Sequence, residues 1–118
     1  MAKIIIVDDS RILRKILNAT LTEAGHEIVG EAGNGEEVLK LLEGCVPDLI
    51  TLDITMPVMD GLTALKLIKE KYPSIKVVMV SAAGQKNKVM EALKAGASDF
   101  LQKPFEPEDV KRVVYKLV

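Results

Sequence analysis

One cysteine, Cys45, stands among the 118 residues, so no disulfide can close within the chain. A small scaffold stapled by bridges is thereby excluded. The lone thiol reads as a small hydrophobe at a helix end. Tryptophan is absent, and two tyrosines and two phenylalanines are the only aromatics. Histidine occurs once, as His26, between a helical and a strand-like segment, where an exposed structural role is expected. No apolar run approaches the roughly 20 residues that cross a bilayer. Met1 leads into a charged, strand-like segment with no secretory core or cleavage site, and with the single cysteine this points to the cytoplasm. Charge of one sign is lacking too: 16 Lys and Arg face 17 Asp and Glu, a net −1. Such a balance gives no global attraction to nucleic acid or to an anionic membrane. There is no internal repeat, low-complexity tract or linker.

What is present is alternation. Four short apolar runs, Ile4–Val7, Leu49–Leu52, Val77–Val80 and Phe100–Leu101, read as strands buried on both faces. A weaker run, Glu27–Glu31, has polar flanks and reads as an edge strand. Between them the apolar spacing turns helical, through Ile12, Leu13, Ile16, Leu17 and Leu21, then Val38, Leu41 and Leu42. The same spacing continues through Leu62, Leu65 and Ile68, then Val89, Met90 and Leu93, and finally Val110, Val113, Val114 and Leu117. Gly25, Gly44 and Gly96 stand where a left-handed residue would close a helix. Asn34 with Glu37 resembles a capping box, Asp60 can cap the third helix, and Pro107 suits the first turn of the fifth. Five β-α units in strict alternation imply one α/β domain over residues 1–118, a doubly wound parallel sheet with helices on both faces. Ligands in such sheets bind beyond the carboxyl ends of the strands.

Those ends carry chemistry. Asp8 and Asp9 follow the first strand, Asp53 ends the third, Ser81 follows the fourth, and Gln102-Lys103 follows the fifth. Any one of these is an ordinary loop or capping residue; the set is not. Two carboxylates about 4 Å apart repel by roughly 4 kcal/mol at an effective dielectric near 20. Three acids on one crevice therefore call for positive charge, from Lys103 or from a divalent cation. With oxygen donors and no His or Cys beside them, Mg²⁺ suits better than Zn²⁺.

In this order the residues resemble the response-regulator receiver family over the whole chain. The signature is Asp8-Asp9, Asp53-Ile54-Thr55-Met56-Pro57 through Asp60-Gly61, Ser81-Ala82, and Lys103-Pro104-Phe105. The resemblance implies a flavodoxin-like fold with strand order 2-1-3-4-5. It implies Asp53 as the acceptor of a phosphoryl group from a sensor histidine kinase or a small phosphodonor. It also implies Mg²⁺ on Asp9, Asp53 and the backbone carbonyl of Thr55, with Asp8 acting through water. Lys103 would pair with phosphoryl oxygens, and Ser81 would swing toward them after transfer. An aromatic side chain on strand five turns inward in this family when that happens; Phe100 holds the position, and core packing is a compatible reading. A cis Lys103–Pro104 bond and a tight turn at Gly61 are expected on the same ground. The chemistry is self-phosphorylation and self-dephosphorylation, not turnover of a separate substrate.

The chain departs from the family's frequent Thr at Ser81 and Tyr at Phe100. Neither Thr55, two past Asp53, nor Ala83, two past Ser81, offers an amide or acid to orient water, so slow loss of the phosphoryl group is expected. Output by protein contact is expected, through the fourth helix, fifth strand and fifth helix with Lys88, Lys111, Arg112 and Tyr115. The kinase would dock near Arg11, Ile12, Pro104 and Phe105. The runs Asp53–Pro57 and Ser81–Gln85 look most like the chemotaxis branch, whose target is a flagellar motor switch protein. A phosphorelay intermediate and a receiver cut from a DNA-binding transcriptional regulator are the rivals. A flavodoxin-type electron carrier would want a hydroxyl- and glycine-rich phosphate loop where Asp8-Asp9-Ser10-Arg11 stands, and aromatics beside its flavin. An aspartate-nucleophile phosphatase would place its acids at alternate positions on one strand; here they are adjacent.

Overall fold

The structure, a computed structural model, describes residues 1–118. Strands β1 (Lys3–Val7), β2 (Glu27–Ala32), β3 (Leu49–Asp53), β4 (Lys76–Ser81) and β5 (Asp99–Gln102) form one parallel sheet in the order 2-1-3-4-5. Helices α1 (Arg11–Glu23), α2 (Gly35–Leu42), α3 (Gly61–Lys71), α4 (Lys86–Lys94) and α5 (Pro107–Leu117) connect and follow them. The doubly wound α/β architecture, five strands, five helices and an edge position for β2 are as the alternation and the resemblance imply.

Side chains on β1, β3 and β4 point alternately to two cores, because the pleat has a period of two. Ile5, Val7, Ile50, Leu52, Val77 and Met79 meet Val38, Leu42, Leu65, Ile68 and Ala92 under α2, α3 and α4. Ile4, Ile6, Leu49, Val78 and Leu101 meet Leu17, Leu21, Val110, Val113 and Val114 under α1 and α5. The central strands are thus greasy on both sides, which is why their sequences run rather than alternate. Thr51, between Ile50 and Leu52, is fully buried, and its hydroxyl has no hydrogen-bond partner. Thr51→Val keeps the shape and removes that unsatisfied group, so a gain of about 1 kcal/mol is expected. Urea melts check this; a loss of stability would show that the hydroxyl is satisfied in solution.

Helix starts follow their capping residues. Asp60 accepts from the Thr63 amide at 2.8 Å and Asn34 from the Glu37 amide at 2.9 Å. Glu37 turns back to the Gly33 amide at 2.8 Å, one residue earlier than a standard capping box reaches. Pro107 opens α5, where Asp109 accepts from the Glu106 amide at 3.0 Å.

Some expectations need correction. Ile12 and Ile16 are exposed, at 74% and 49%, because α1 turns only Leu17 and Leu21 fully inward. On α4 the buried stripe is Val89 and Ala92, leaving Met90 and Leu93 toward solvent. Gly25 and Gly96 take positive φ after α1 and α4, but Gly44 does not: α2 ends on Glu43 in right-handed geometry. His26 is half-buried rather than exposed. Its Nδ1 accepts the Ala2 amide at 3.0 Å, while Glu27 donates to the Ala2 carbonyl at 2.9 Å, so the ring fastens the entry to β1 against β2. Burial, and then the charged amino terminus, lower its pKa from the usual imidazole value.

Candidate functional site

Strand order decides what meets. Because β1 lies between β2 and β3, and Val7 pairs with Leu52, the residues just beyond those rungs emerge side by side: Asp8 from β1 and Asp53 from β3. Asp53 is level with Val80 on β4, which puts Ser81 one residue further out on the next strand. Lys103 follows β5, and its amide donates to the Ser81 carbonyl at 2.7 Å. One carboxylate oxygen from each of Asp8, Asp9 and Asp53 lies within 4.8 Å of the others. Asp8 and Asp53 are buried and Asp9 stands at the rim.

Neighbouring loops hold these groups. Ser10 donates its amide to Asp8 Oδ1 at 2.8 Å and caps α1 through Oγ on the Leu13 amide at 3.2 Å. Arg14 donates to the Asp8 carbonyl and pairs with Glu31 at 3.2 Å, tying the acidic turn to β2. On the other side, the Gly61 amide donates to the Ile54 carbonyl at 2.7 Å. A Cβ at Gly61 would fall 1.9 Å from the Asp53 carbonyl oxygen. The expectation of a tight turn there holds, for reasons of close backbone approach and not of left-handed geometry.

The Lys103 ammonium sits 3.3 Å from Asp53 Oδ2 and 3.4 Å from Asp8 Oδ2. The second contact is an ion pair without hydrogen-bond alignment, since Asp8 Oδ2 has no hydrogen-bond partner. Burial pushes the Asp53 carboxyl above the ordinary aspartate pKa, and the Asp8 charge adds to this; Lys103 and the Thr55 amide pull the other way. One ammonium cannot balance three carboxylates. The donor set is all oxygen, one buried oxygen is unpartnered, and no backbone amide donates to the Thr55 carbonyl. These features fit a hard divalent cation.

Beyond β4, the Ser81 hydroxyl donates to the Leu101 carbonyl at 3.5 Å. Phe100 is 40% exposed, so it is not a core residue; it lines a cleft of about 280 Å³ with Ser81, Gln85, Val89, Met90 and Leu93. The Lys103–Pro104 bond is cis, as expected. Among the surface residues, Arg11, Ile12 and Pro104 are exposed, while Phe105 packs against the α1–α5 core. Tyr115 is exposed, but Lys111 is engaged by Glu23 at 2.7 Å.

Three residues at the site carry weight that the strand-end argument passed over: Ser10, Arg14 and Gln85. Gln85 Oε1 accepts from the Ala82 amide at 2.7 Å and its Nε2 donates to the Thr55 hydroxyl at 2.6 Å. Ser10 had a legible signal, a hydroxyl three residues ahead of an apolar helical position. Arg14 and Gln85 had none, because their partners are distant in sequence or on another loop.

Comparison with known proteins gives a consistent result. The family model described as response regulator receiver domain matches residues 4–115. The chemotaxis protein CheY of Thermotoga maritima is 44% identical over 98% of this chain and 96% of its own length. That of Listeria monocytogenes is 46% identical over 98% of each. Among solved structures, the receiver domain of NtrX from Brucella abortus superposes with a TM-score of 0.91 at 32% identity, covering 97% of this chain and 96% of the other.

Proposed function

The chain belongs to the response regulator receiver domain family of two-component systems, and from that membership we propose that Asp53 is its phosphoacceptor. The observation that carries the assignment is a buried carboxylate held 3.3 Å from Lys103, with Asp8 and Asp9 beside it. An Asp53 oxygen attacks the phosphorus of a phosphohistidine on a sensor histidine kinase, or of a small acyl phosphate. The new bond is Asp53 O–P; the bond to the donor's nitrogen or oxygen breaks, and the donor leaves with that electron pair. Little covalent work falls to the other residues, so positioning and charge neutralisation carry the catalysis. Lys103 meets the phosphoryl oxygens as charge spreads onto them. Asp9, Asp53 and the Thr55 carbonyl would hold Mg²⁺ directly and Asp8 through water, and the ion supplies further positive charge there. The acyl phosphate brings roughly one more negative charge to the pocket. Ser81 answers by leaving the Leu101 carbonyl, and Phe100 follows into the vacated space.

Incubation with acetyl phosphate and Mg²⁺ tests this: the parent gains one phosphoryl group, and equal labelling of Asp53→Ala would sink the assignment. The metal proposal has its own readout. Mg²⁺ at a hundred times its dissociation constant stabilises the fold by about 2.7 kcal/mol. Asp9→Asn is expected to lose most of that gain in thermal melts, and an unchanged gain would place the ion elsewhere.

Residues 1–118 act as one receiver unit in this reading, and the output is a protein contact through α4, β5 and α5. The chemotaxis relatives favour a flagellar motor switch protein as the target over a phosphorelay partner or a DNA-binding output. Pull-down by such a switch protein, with and without acetyl phosphate, separates these; equal capture in both states argues against a phosphorylation-controlled contact. Self-dephosphorylation is slow, because neither Thr55 nor Ala83 presents an amide or acid to orient water.

A further inference from the structure

Gln85 was assigned nothing by position: it lies four residues past Ser81, at the start of α4, and makes no capping bond to its own helix. Its side chain nevertheless makes two of the shortest side-chain hydrogen bonds in the molecule, 2.7 Å to the Ala82 amide and 2.6 Å to the Thr55 hydroxyl. The amide orientation is fixed by chemistry. A backbone N–H can only donate, so Gln85 must offer it Oε1 and turn Nε2 to Thr55. Those partners belong to the two loops that flank Asp53: Thr55 is two residues beyond it on the β3–α3 loop, and Ala82 follows Ser81 on the β4–α4 loop. A single carboxamide thus ties one loop to the other across the carboxyl end of the sheet.

The tie coincides with a withdrawn Ser81, whose hydroxyl is turned to the Leu101 carbonyl. Moving Ser81 toward a group growing from Asp53 drags Ala82 with it, because the two share a peptide bond. The Ala82 amide is also the next backbone donor beyond β4, and it is occupied by Gln85 in this arrangement. We propose that Gln85 is a positioning residue that latches the β4–α4 loop in its resting arrangement, so that phosphoryl loading of Asp53 must break the bridge to Ala82 and Thr55. This rests on Asp53 being the acceptor. Gln85 touches no reacting atom; it acts through the loop that carries Ser81. The latch opposes loading and, once released, frees a donor for the new charge.

Labelling by acetyl phosphate in Mg²⁺ is compared for the parent, Gln85→Ala and Gln85→Met, the last keeping the volume without the hydrogen bonds. Two neutral hydrogen bonds lost from the resting state correspond to a labelling rate faster by roughly fivefold or more. Both variants are expected to show it, with melting temperatures within a few degrees of the parent. A second readout needs neither metal nor phosphodonor. Amide hydrogen exchange in Gln85→Met is expected to speed up at Ala82, while Ile54, whose amide donates to the Val80 carbonyl at 3.0 Å, keeps its protection. A labelled parent with Gln85→Met at the parent rate or slower overturns the latch and leaves the acceptor assignment standing. A parent that takes no label removes both.

Discussion

Asp53→Asn is expected to lose phosphoryl labelling by at least ~10³-fold while melting a few degrees higher than the parent in metal-free buffer. The first half follows from deleting the proposed nucleophile, for which an amide is no substitute. The second follows from the electrostatics of the site. Burial and the Asp8 charge raise the Asp53 pKa in the folded protein above its unfolded value, so the fold binds this proton more tightly than the open chain does. Stability therefore falls as pH rises from the unfolded aspartate value through the raised folded one, and the cost is fully present above that folded value. Asparagine removes the charge and keeps the shape. In a domain of this size a gain of about 1 kcal/mol moves the midpoint by a few degrees. The contrast should shrink at low pH, where the parent's carboxyl is protonated in both states. A variant that loses both label and stability would place Asp53 in the scaffold, with a carboxylate that supports the fold and does not oppose it.

Gly61→Ala is expected to cost roughly 3 kcal/mol or more and to impair labelling together with the fold. The added carbon would meet the Asp53 carbonyl oxygen at 1.9 Å, its carbonyl carbon at 2.8 Å and Ile54 Cα at 3.0 Å. All three are backbone atoms of the segment that carries Asp53, so no side chain can rotate away to relieve the clash. Either α3 moves off β3 or the end of β3 moves and takes Asp53 with it. Gly44→Ala is the control: nothing lies within 4 Å of the added carbon and φ is not positive, so a change within about 0.5 kcal/mol is expected. Chemical denaturation of both variants reads the difference. A Gly61→Ala protein within about 1 kcal/mol of the parent would mean that α3 and β3 can separate enough to admit a methyl group.

The fold was legible because its signals are one-dimensional. Runs such as Ile4–Val7 and Val77–Val80 mark two-sided strands, the helical spacing between them marks the crossovers, and Asn34, Asp60 and Pro107 mark helix starts. Strand order was not in those signals; it came with the resemblance, and it is what brings Asp8 beside Asp53. Errors fell where exposure depends on a partner or on helix rotation. Ile12, Ile16, Met90 and Leu93 repeat at helical spacing yet face outward, since a stripe's width can be read from periodicity but its orientation about the helix axis cannot. Gly44 differs from Gly25 and Gly96 in backbone geometry that composition does not encode. At the site, the five strand-end groups could be found by position. Arg14 and Gln85 could not, because what they do is set by which loops fold against them.

Lys103 stands between two carboxylates, and a shared counter-ion makes its anions interdependent. While Asp8 is charged it both repels the acceptor and draws off part of the only ammonium nearby. The appetite of Asp53 for a proton, and by the same token the electron-donating power of its oxygens, is therefore governed from a neighbouring strand. Substitution at Asp8 is expected to retune the proposed nucleophile without touching it.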